Sequence, residues 1–411
     1  MSASIEEMMR EGATERLHFE SCEMDFYLKW FLGYAAYGGA QLGECMRVAH
    51  RIREDDHESW VREWAAMARH LEARALRSLD TGHLVSARES YLRASTYYRA
   101  ALVFAKPSEP RFMDIWEDMR TCFRVAAALF QPAITHVDIP FEGGVLPGYF
   151  IRADHTSAPR PLLIAVGGGE MFAEEMYYWA GTAGQRRGYH VLVVEMPGQG
   201  STPLQGMYFR VDTEQPVRAV VAYGASRPDV DRDKIAVFGT CGGGYAVARG
   251  VAREKRVKAC VLNPPIHDVR HLMEAEMPPV FVKGPCMPGE QLVMVGEQRH
   301  PLAEILVDKM SWQSGVSRPA EAMELARAAH LGPVVRDIEC PVLCMVSEGE
   351  SREQNAQARE FYEALDVPKQ LRVFTYDEGA GAHCQIENLG LMHAVMFDWL
   401  DELFGYDPAL V

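Results

Sequence analysis

Ile235-Ala236-Val237-Phe238-Gly239-Thr240-Cys241-Gly242-Gly243-Gly244-Tyr245 runs from an apolar strand pattern through a glycine-rich turn into the start of a helix, Tyr245 to Arg253. The turn has the form G-x-C-x-G, with Cys241 at its centre. Gly239 and Gly243 stand where side chains would collide in a tight strand-to-helix bend, and such a bend lifts the central side chain clear of a sheet. Gly242 follows, so its N–H can point at a developing oxyanion. A helix N-terminus and a nearby imidazole both favour thiolate, the reactive form of cysteine. Cys241 is therefore the candidate nucleophile. Read as local structure alone, it is a small buried residue in a βα turn.

Upstream, Leu163-Ile164-Ala165-Val166-Gly167-Gly168-Gly169-Glu170 is a strand ending in a glycine run, where the second oxyanion N–H is expected from Gly169 or Glu170. Neither glycine-rich segment suits a nucleotide, because no G-K-[ST] closes a Walker loop. A third glycine-containing segment, Gly198-Gln199-Gly200-Ser201-Thr202-Pro203, has Pro where a dinucleotide fingerprint needs its third Gly. Downstream, Glu378-Gly379-Ala380-Gly381-Ala382-His383-Cys384-Gln385 lies between the last strand pattern and an apolar helix, Leu389 to Phe404. A base on that loop can reach over the turn, which selects His383; Cys384 beside it reads as packing. For the acid, Glu350 in Ser347-Glu348-Gly349-Glu350-Ser351 preserves the order nucleophile, acid, histidine, and Asp268 after Asn263-Pro264-Pro265-Ile266-His267 is the alternative. Either would orient His383 and stabilise its imidazolium. Metal ligation is not indicated: Cys340 and Cys344 lack paired C-x₂-C units, and no H-E-x-x-H occurs.

Around these motifs the chain divides in two. Residues up to about 130 read as helical: Trp60, Trp64, Met67, Leu71 and Ala75 recur at three- and four-residue steps between Asp56 and Leu79, and Gly82 is a plausible stop. A second helix is expected from Val85 to Phe104, broken by Lys106-Pro107-Ser108-Glu109-Pro110. Its Tyr91, Tyr97 and Tyr98 read as core rather than pocket. From Pro132 the period changes. Ile134–Phe141 and Val145–Ile151 form a hairpin pattern about Glu142-Gly143-Gly144. Short apolar runs follow at Pro161–Val166, His190–Glu195, Lys234–Phe238, Lys258–Leu262, Pro341–Val346 and Leu371–Tyr376, separated by helical segments. That alternation predicts βαβ units and a buried, mostly parallel sheet. Between Pro264 and Ile338 no strand pattern appears, as expected of an insertion over one end of the sheet.

The 411 residues carry 42 Lys plus Arg against 57 Asp plus Glu, a formal charge of −15, which repels nucleic acid and anionic membrane alike. An odd nine cysteines, several in apolar runs, fit a reducing compartment. The opening MSASIEEMMREG has no secretory pattern, and no apolar run approaches the ~20 residues of a membrane helix, so a cytoplasmic location is expected.

The order glycine turn, Glu195-Met196-Pro197-Gly198-Gln199-Gly200, strand–turn–helix at Cys241, and Ala382-His383-Cys384-Gln385 resembles the α/β-hydrolase superfamily. Trp60-Val61-Arg62-Glu63-Trp64, Gly82-His83, Ser86-Ala87-Arg88 and Tyr97-Tyr98-Arg99 are similar to the helical cap of a narrower group, the 2,6-dihydroxypseudooxynicotine hydrolases and fungal hydrolases that shorten polyketide chains. The resemblance implies an eight-stranded, mostly parallel sheet flanked by helices, with a cap over residues 1–130, a catalytic domain over 131–411 and an inserted segment at about 264–338. It also implies a homodimer, no cofactor, and cleavage of a C–C bond beside a ketone in a small-molecule substrate. Two departures stand out: Cys241 replaces the usual Ser, and Glu350 the usual Asp. A thioester intermediate also reacts with amines and carbanions, so acyl transfer or cyclisation is an alternative outcome, and a non-catalytic ligand receptor is the alternative outside enzymes.

Overall fold

The structure is a computed structural model that describes residues 16–276, 294–295, 298–299 and 301–407. Among the described residues five α-helices precede the sheet: α1 (Cys22–Gly33), α2 (Leu42–Ala49), α3 (His57–Asp80), α4 (Leu84–Leu102) and α5 (Pro110–Ala128). α3 starts where Asp56 accepts a hydrogen bond from the Ser59 N–H at 2.9 Å, a cap that satisfies one of the free amides of the first turn. It stops before Gly82, whose φ of +77° suits glycine. Tyr97 and Tyr98 are buried, their hydroxyls donating to Glu44 and Glu72 at 2.7 Å each, so they are core residues with satisfied polar tips.

Eight strands follow: β1 (Thr135–Phe141), β2 (Gly144–Ile151), β3 (Arg160–Val166), β4 (His190–Val194), β5 (Val230–Thr240), β6 (Ala259–Asn263), β7 (Val342–Ser347) and β8 (Lys369–Phe374). They form one sheet in the order β1-β2-β4-β3-β5-β6-β7-β8. β1 and β2 make the antiparallel hairpin, β2 meets β4 antiparallel, and every later pairing is parallel. Each apolar run read in the sequence is a strand within a few residues, and β5 extends further toward its N-terminus than Lys234.

Burial on both faces explains why these strands read as continuous apolar runs. Leu163, Ala165, Val191, Val193, Ala236 and Phe238 join one cluster, while Leu162, Ile164, Leu192, Val194, Ile235 and Val237 join the other. The first cluster also holds Trp60, Trp64 and Tyr97, so the N-terminal helices and one sheet face share a core. The helices that flank the sheet include α6 (Glu214–Ser226), α7 (Gly242–Arg253), α11 (Arg352–Ala364) and α12 (Leu389–Phe404).

Between β6 and β7 lie α8 (Val269–Glu276), α9 (Pro301–Ser314) and α10 (Pro319–Ala326). This stretch is not strand-free, as the sequence suggested: Met294–Val295 and Gln298–Arg299 pair as a two-rung antiparallel ladder, too short for a recognisable alternation. No helix among the described residues is long and apolar enough to cross a membrane. The eight described cysteines are free; Cys286 and the opening residues 1–15 lie outside the described residues.

Candidate active site

Cys241 occupies the bend between β5 and α7 with φ +52° and ψ −126°, a backbone region that side-chain-bearing residues seldom adopt. The bend is tight because its flanking residues have no side chains. A Cβ on Gly239 would lie 2.3 Å from the Gly243 oxygen, and one on Gly243 would lie 2.5 Å from the Val166 oxygen. The Cys241 N–H donates to the Asn263 oxygen at 2.8 Å, fastening the bend to the end of β6. Cys241 is partly exposed, whereas Cys45, Cys122, Cys260, Cys340, Cys344 and Cys384 are buried.

The glycine turn after β3 passes beside the sulfur. The position of a Cβ on Gly168 lies 3.2 Å from Cys241 Sγ, and that on Gly242 lies 3.2 Å from the Gly169 nitrogen. Among the described residues neither the Gly242 nor the Gly169 N–H is engaged by another group. Two side chains hold this turn. Gln199 Nε2 donates to the Gly167 and Gly168 oxygens at 2.6 and 3.1 Å, while its Oε1 accepts from the Met196 N–H. From the opposite side, Gln313 of α9 donates to the Gly169 oxygen at 2.5 Å. Glu170 is tied through its own oxygen, which accepts from Arg99 at 3.0 Å.

His383 follows β8 in a short helical turn in which Cys384 and Gln385 have φ of +53° and +58°. Its Nδ1 lies 2.6 Å from Glu350 Oε2, and the Cys384 N–H donates to Glu350 Oε1 at 2.9 Å, so one buried carboxylate grips both ring and loop. Across the ring, Nε2 lies 3.3 Å from Cys384 Sγ, which donates to the Asn263 oxygen at 3.2 Å. Cys384 is thus packed, as its sequence context suggested, but it also touches the base. Burial alone would push the imidazole down. Cys384, against Nε2, and the Glu350 carboxylate, against Nδ1, outweigh it and hold His383 well above its ordinary value. Glu350, His383 and Cys384 are close enough to be considered as metal ligands. The carboxylate and sulfur lie against opposite ring nitrogens, however, which suits a hydrogen-bonded base better than ligands converging on one ion.

Of the two carboxylates left open by the sequence, Glu350 pairs with His383. Asp268 instead accepts from the His271 N–H at 3.0 Å at the start of α8. Sequence reasoning missed the role of Gln199, which was read only as part of glycine-containing motifs, and Tyr27, Lys309 and Gln313, which sit in helices with nothing local to mark them.

Comparison with known proteins gives a consistent picture. A family model described as FrsA-like esterase matches residues 54–283. Hydrolase LUC6 of a Fusarium species is 31% identical, the match covering 94% of this chain and 98% of that protein. The 20-hydroxy-prefusarin hydrolase FUS2 of Gibberella moniliformis is 28% identical over the same shares, 94% and 98%. Among solved structures, the 2,6-dihydroxy-pseudo-oxynicotine hydrolase superposes with a TM-score of 0.70 at 21% identity, covering 92% of this chain and 97% of that one. The protein AbyA5 does so with a TM-score of 0.63 at 17% identity, covering 94% and 96%. At these identities the superpositions speak for the fold.

Proposed function

Because this chain belongs to the FrsA-like esterase family and is a hydrolase of the α/β-hydrolase fold, we propose that it works through a Cys241–His383–Glu350 triad on a small carbonyl substrate of β-dicarbonyl, polyketide-like or activated acyl type. The Cys241 sulfur bonds to the carbonyl carbon while His383 holds the thiol proton. The carbonyl oxygen becomes an oxyanion facing the N–H groups of Gly242 and the Gly169–Glu170 turn; one such donor is worth about 3 kcal/mol of barrier. Collapse breaks the bond to the leaving group, which takes the proton from His383, and a thioester remains. Water, losing a proton to His383, then releases the acid and restores the thiol. Glu350 keeps the ring oriented and its charge compensated.

The observation that carries this reading is the strained backbone at Cys241, at φ +52°. Strain of this kind costs roughly 1–3 kcal/mol, persists where the surrounding structure enforces it, and clusters at active sites. The substrate class rests on kinship with relatives such as the 20-hydroxy-prefusarin hydrolase. The test uses p-nitrophenyl acetate and intact-mass spectrometry. Wild-type protein is expected to gain one acetyl group, mapped to Cys241, and Cys241→Ala to gain none while losing at least about 10³-fold in kcat/KM. Oxygen-18 from labelled water should appear in the released acid, whereas transfer or cyclisation would leave it unlabelled. An adduct on another cysteine, with Cys241→Ala fully active, defeats the proposal.

A further inference from the structure

Three polar side chains near the nucleophile have no part in forming a thioester: Tyr27 of α1, Glu170 of the glycine turn and Lys309 of α9. Lys309 is only 8% exposed. Its Nζ donates to the Val103 oxygen at 2.5 Å and to Glu170 Oε2 at 3.2 Å. An ammonium has three protons, and among the described residues the third has no partner. The Tyr27 hydroxyl lies 3.5 Å from the same Glu170 oxygen, too long for a firm bond, so its proton is available to something else. Behind them, Arg99 joins Glu175 Oε1 at 2.8 Å and the Glu170 oxygen at 3.0 Å.

This cluster borders the site. Glu170 directly follows Gly169, and Gln313, one helical turn beyond Lys309, grips the Gly169 oxygen. Phe26, the neighbour of Tyr27, has its ring 6.3 Å from that of His383. Burial pushes the Tyr27 hydroxyl up, and the negative charge of Glu170 adds to the effect against the pull of Arg99. Burial also pushes Lys309 down from its ordinary value, against the pull of Glu170. A buried ion pair is a poor device for stability alone, because apolar residues of similar volume serve that end as well or better.

We infer that Lys309 and Tyr27 form a second oxygen pocket, which binds the far carbonyl oxygen of a β-dicarbonyl substrate and carries the enolate charge released when the C–C bond breaks. The inference rests on the reading of Cys241 and His383 given above. The sulfur bonds to the near carbonyl carbon and an oxyanion forms. As that C=O re-forms, the C–C bond pair moves to the carbon between the two carbonyls and delocalises onto the far oxygen. There the Lys309 N–H and Tyr27 O–H donate to it. The central carbon takes the proton held by His383, leaving a neutral ketone and the thioester. Glu170 opposes the loss of charge that burial favours at Lys309. A nitrophenolate or thiolate leaving group needs no such pocket, so the cluster separates C–C cleavage from ester cleavage.

The experiment compares 1-phenylbutane-1,3-dione with p-nitrophenyl acetate on wild type, Lys309→Met and Tyr27→Phe. The readout is the ratio of the two kcat/KM values within each protein sample, from which the folded fraction cancels. That ratio should fall about 100-fold in Lys309→Met, the loss seen when an oxyanion donor is removed, and at least tenfold in Tyr27→Phe, which keeps the ring and tests the idea should Lys309→Met fold poorly. An unchanged ratio in both variants overturns the inference. So does a wild-type protein that is acetylated at Cys241 yet leaves the dione intact, a result that spares the nucleophile assignment. Failure of Cys241 to acylate from either compound removes both.

Discussion

Glu350 accepts from the His383 ring and from the Cys384 N–H next to it, so the imidazole has little freedom to turn. Asp268 caps a helix instead. Steady-state kinetics of the two neutralised carboxylates should therefore diverge. Glu350→Gln is expected to lower kcat by about 10²–10⁴-fold, as losing the orienting acid does in triads. Asp268→Ala should stay within about threefold and cost only about 1 kcal/mol of stability, the usual loss for a cap. The raised pKa of His383 makes a second prediction with a definite sign. A histidine that binds its proton more tightly when folded stabilises the fold fully below its unfolded pKa, near 6.5, and that contribution fades as pH climbs through the higher folded value. Denaturant melts of wild type and His383→Gln should thus differ most at about pH 6 and converge under alkaline conditions.

Between β3 and β4, and again after β4, the chain builds the turn that faces the sulfur, and Gln199 joins the two segments by bonding the Gly167 and Gly168 oxygens. It touches no reacting atom, so it is a positioning residue. Gln199→Ala should reduce kcat roughly tenfold or more by misaiming the Gly169 amide while KM changes little, since a donor that acts on the oxyanion matters most in the transition state. The strands themselves were easy to read because sheet burial on both faces leaves compact apolar runs. The bend at Cys241 was easy as well, because only glycines tolerate contacts as close as 2.3 Å there. His383 was legible from its place after β8, whereas the acid stayed open between Glu350 and Asp268 until the partner of the ring was seen. Lys309 and Tyr27 were not legible, since they are charged or aromatic residues on ordinary helices, and their importance comes from what folding sets opposite them. Cys384 illustrates the same limit: the sequence marks it as buried but cannot show that its sulfur faces Nε2.

Across the whole molecule, the helices at the N-terminus are fastened to the body through buried charge as well as apolar contact. Arg99 of α4 is 4% exposed and Glu175 3%, with 2.8 Å between Nε and Oε1. Arg99→Met would leave Glu175 without its charge partner, and chemical denaturation should register a loss of roughly 3–5 kcal/mol. Charge-neutral replacement of both residues should recover much of it. The cluster that runs without interruption from Trp60 and Trp64 to Leu163 and Ala165 bears on how molecules reach the sulfur. Swinging the helices aside as a rigid door would wet the heart of the protein. Access to Cys241 is therefore expected through small, local rearrangements, with these helices left in place through every turnover.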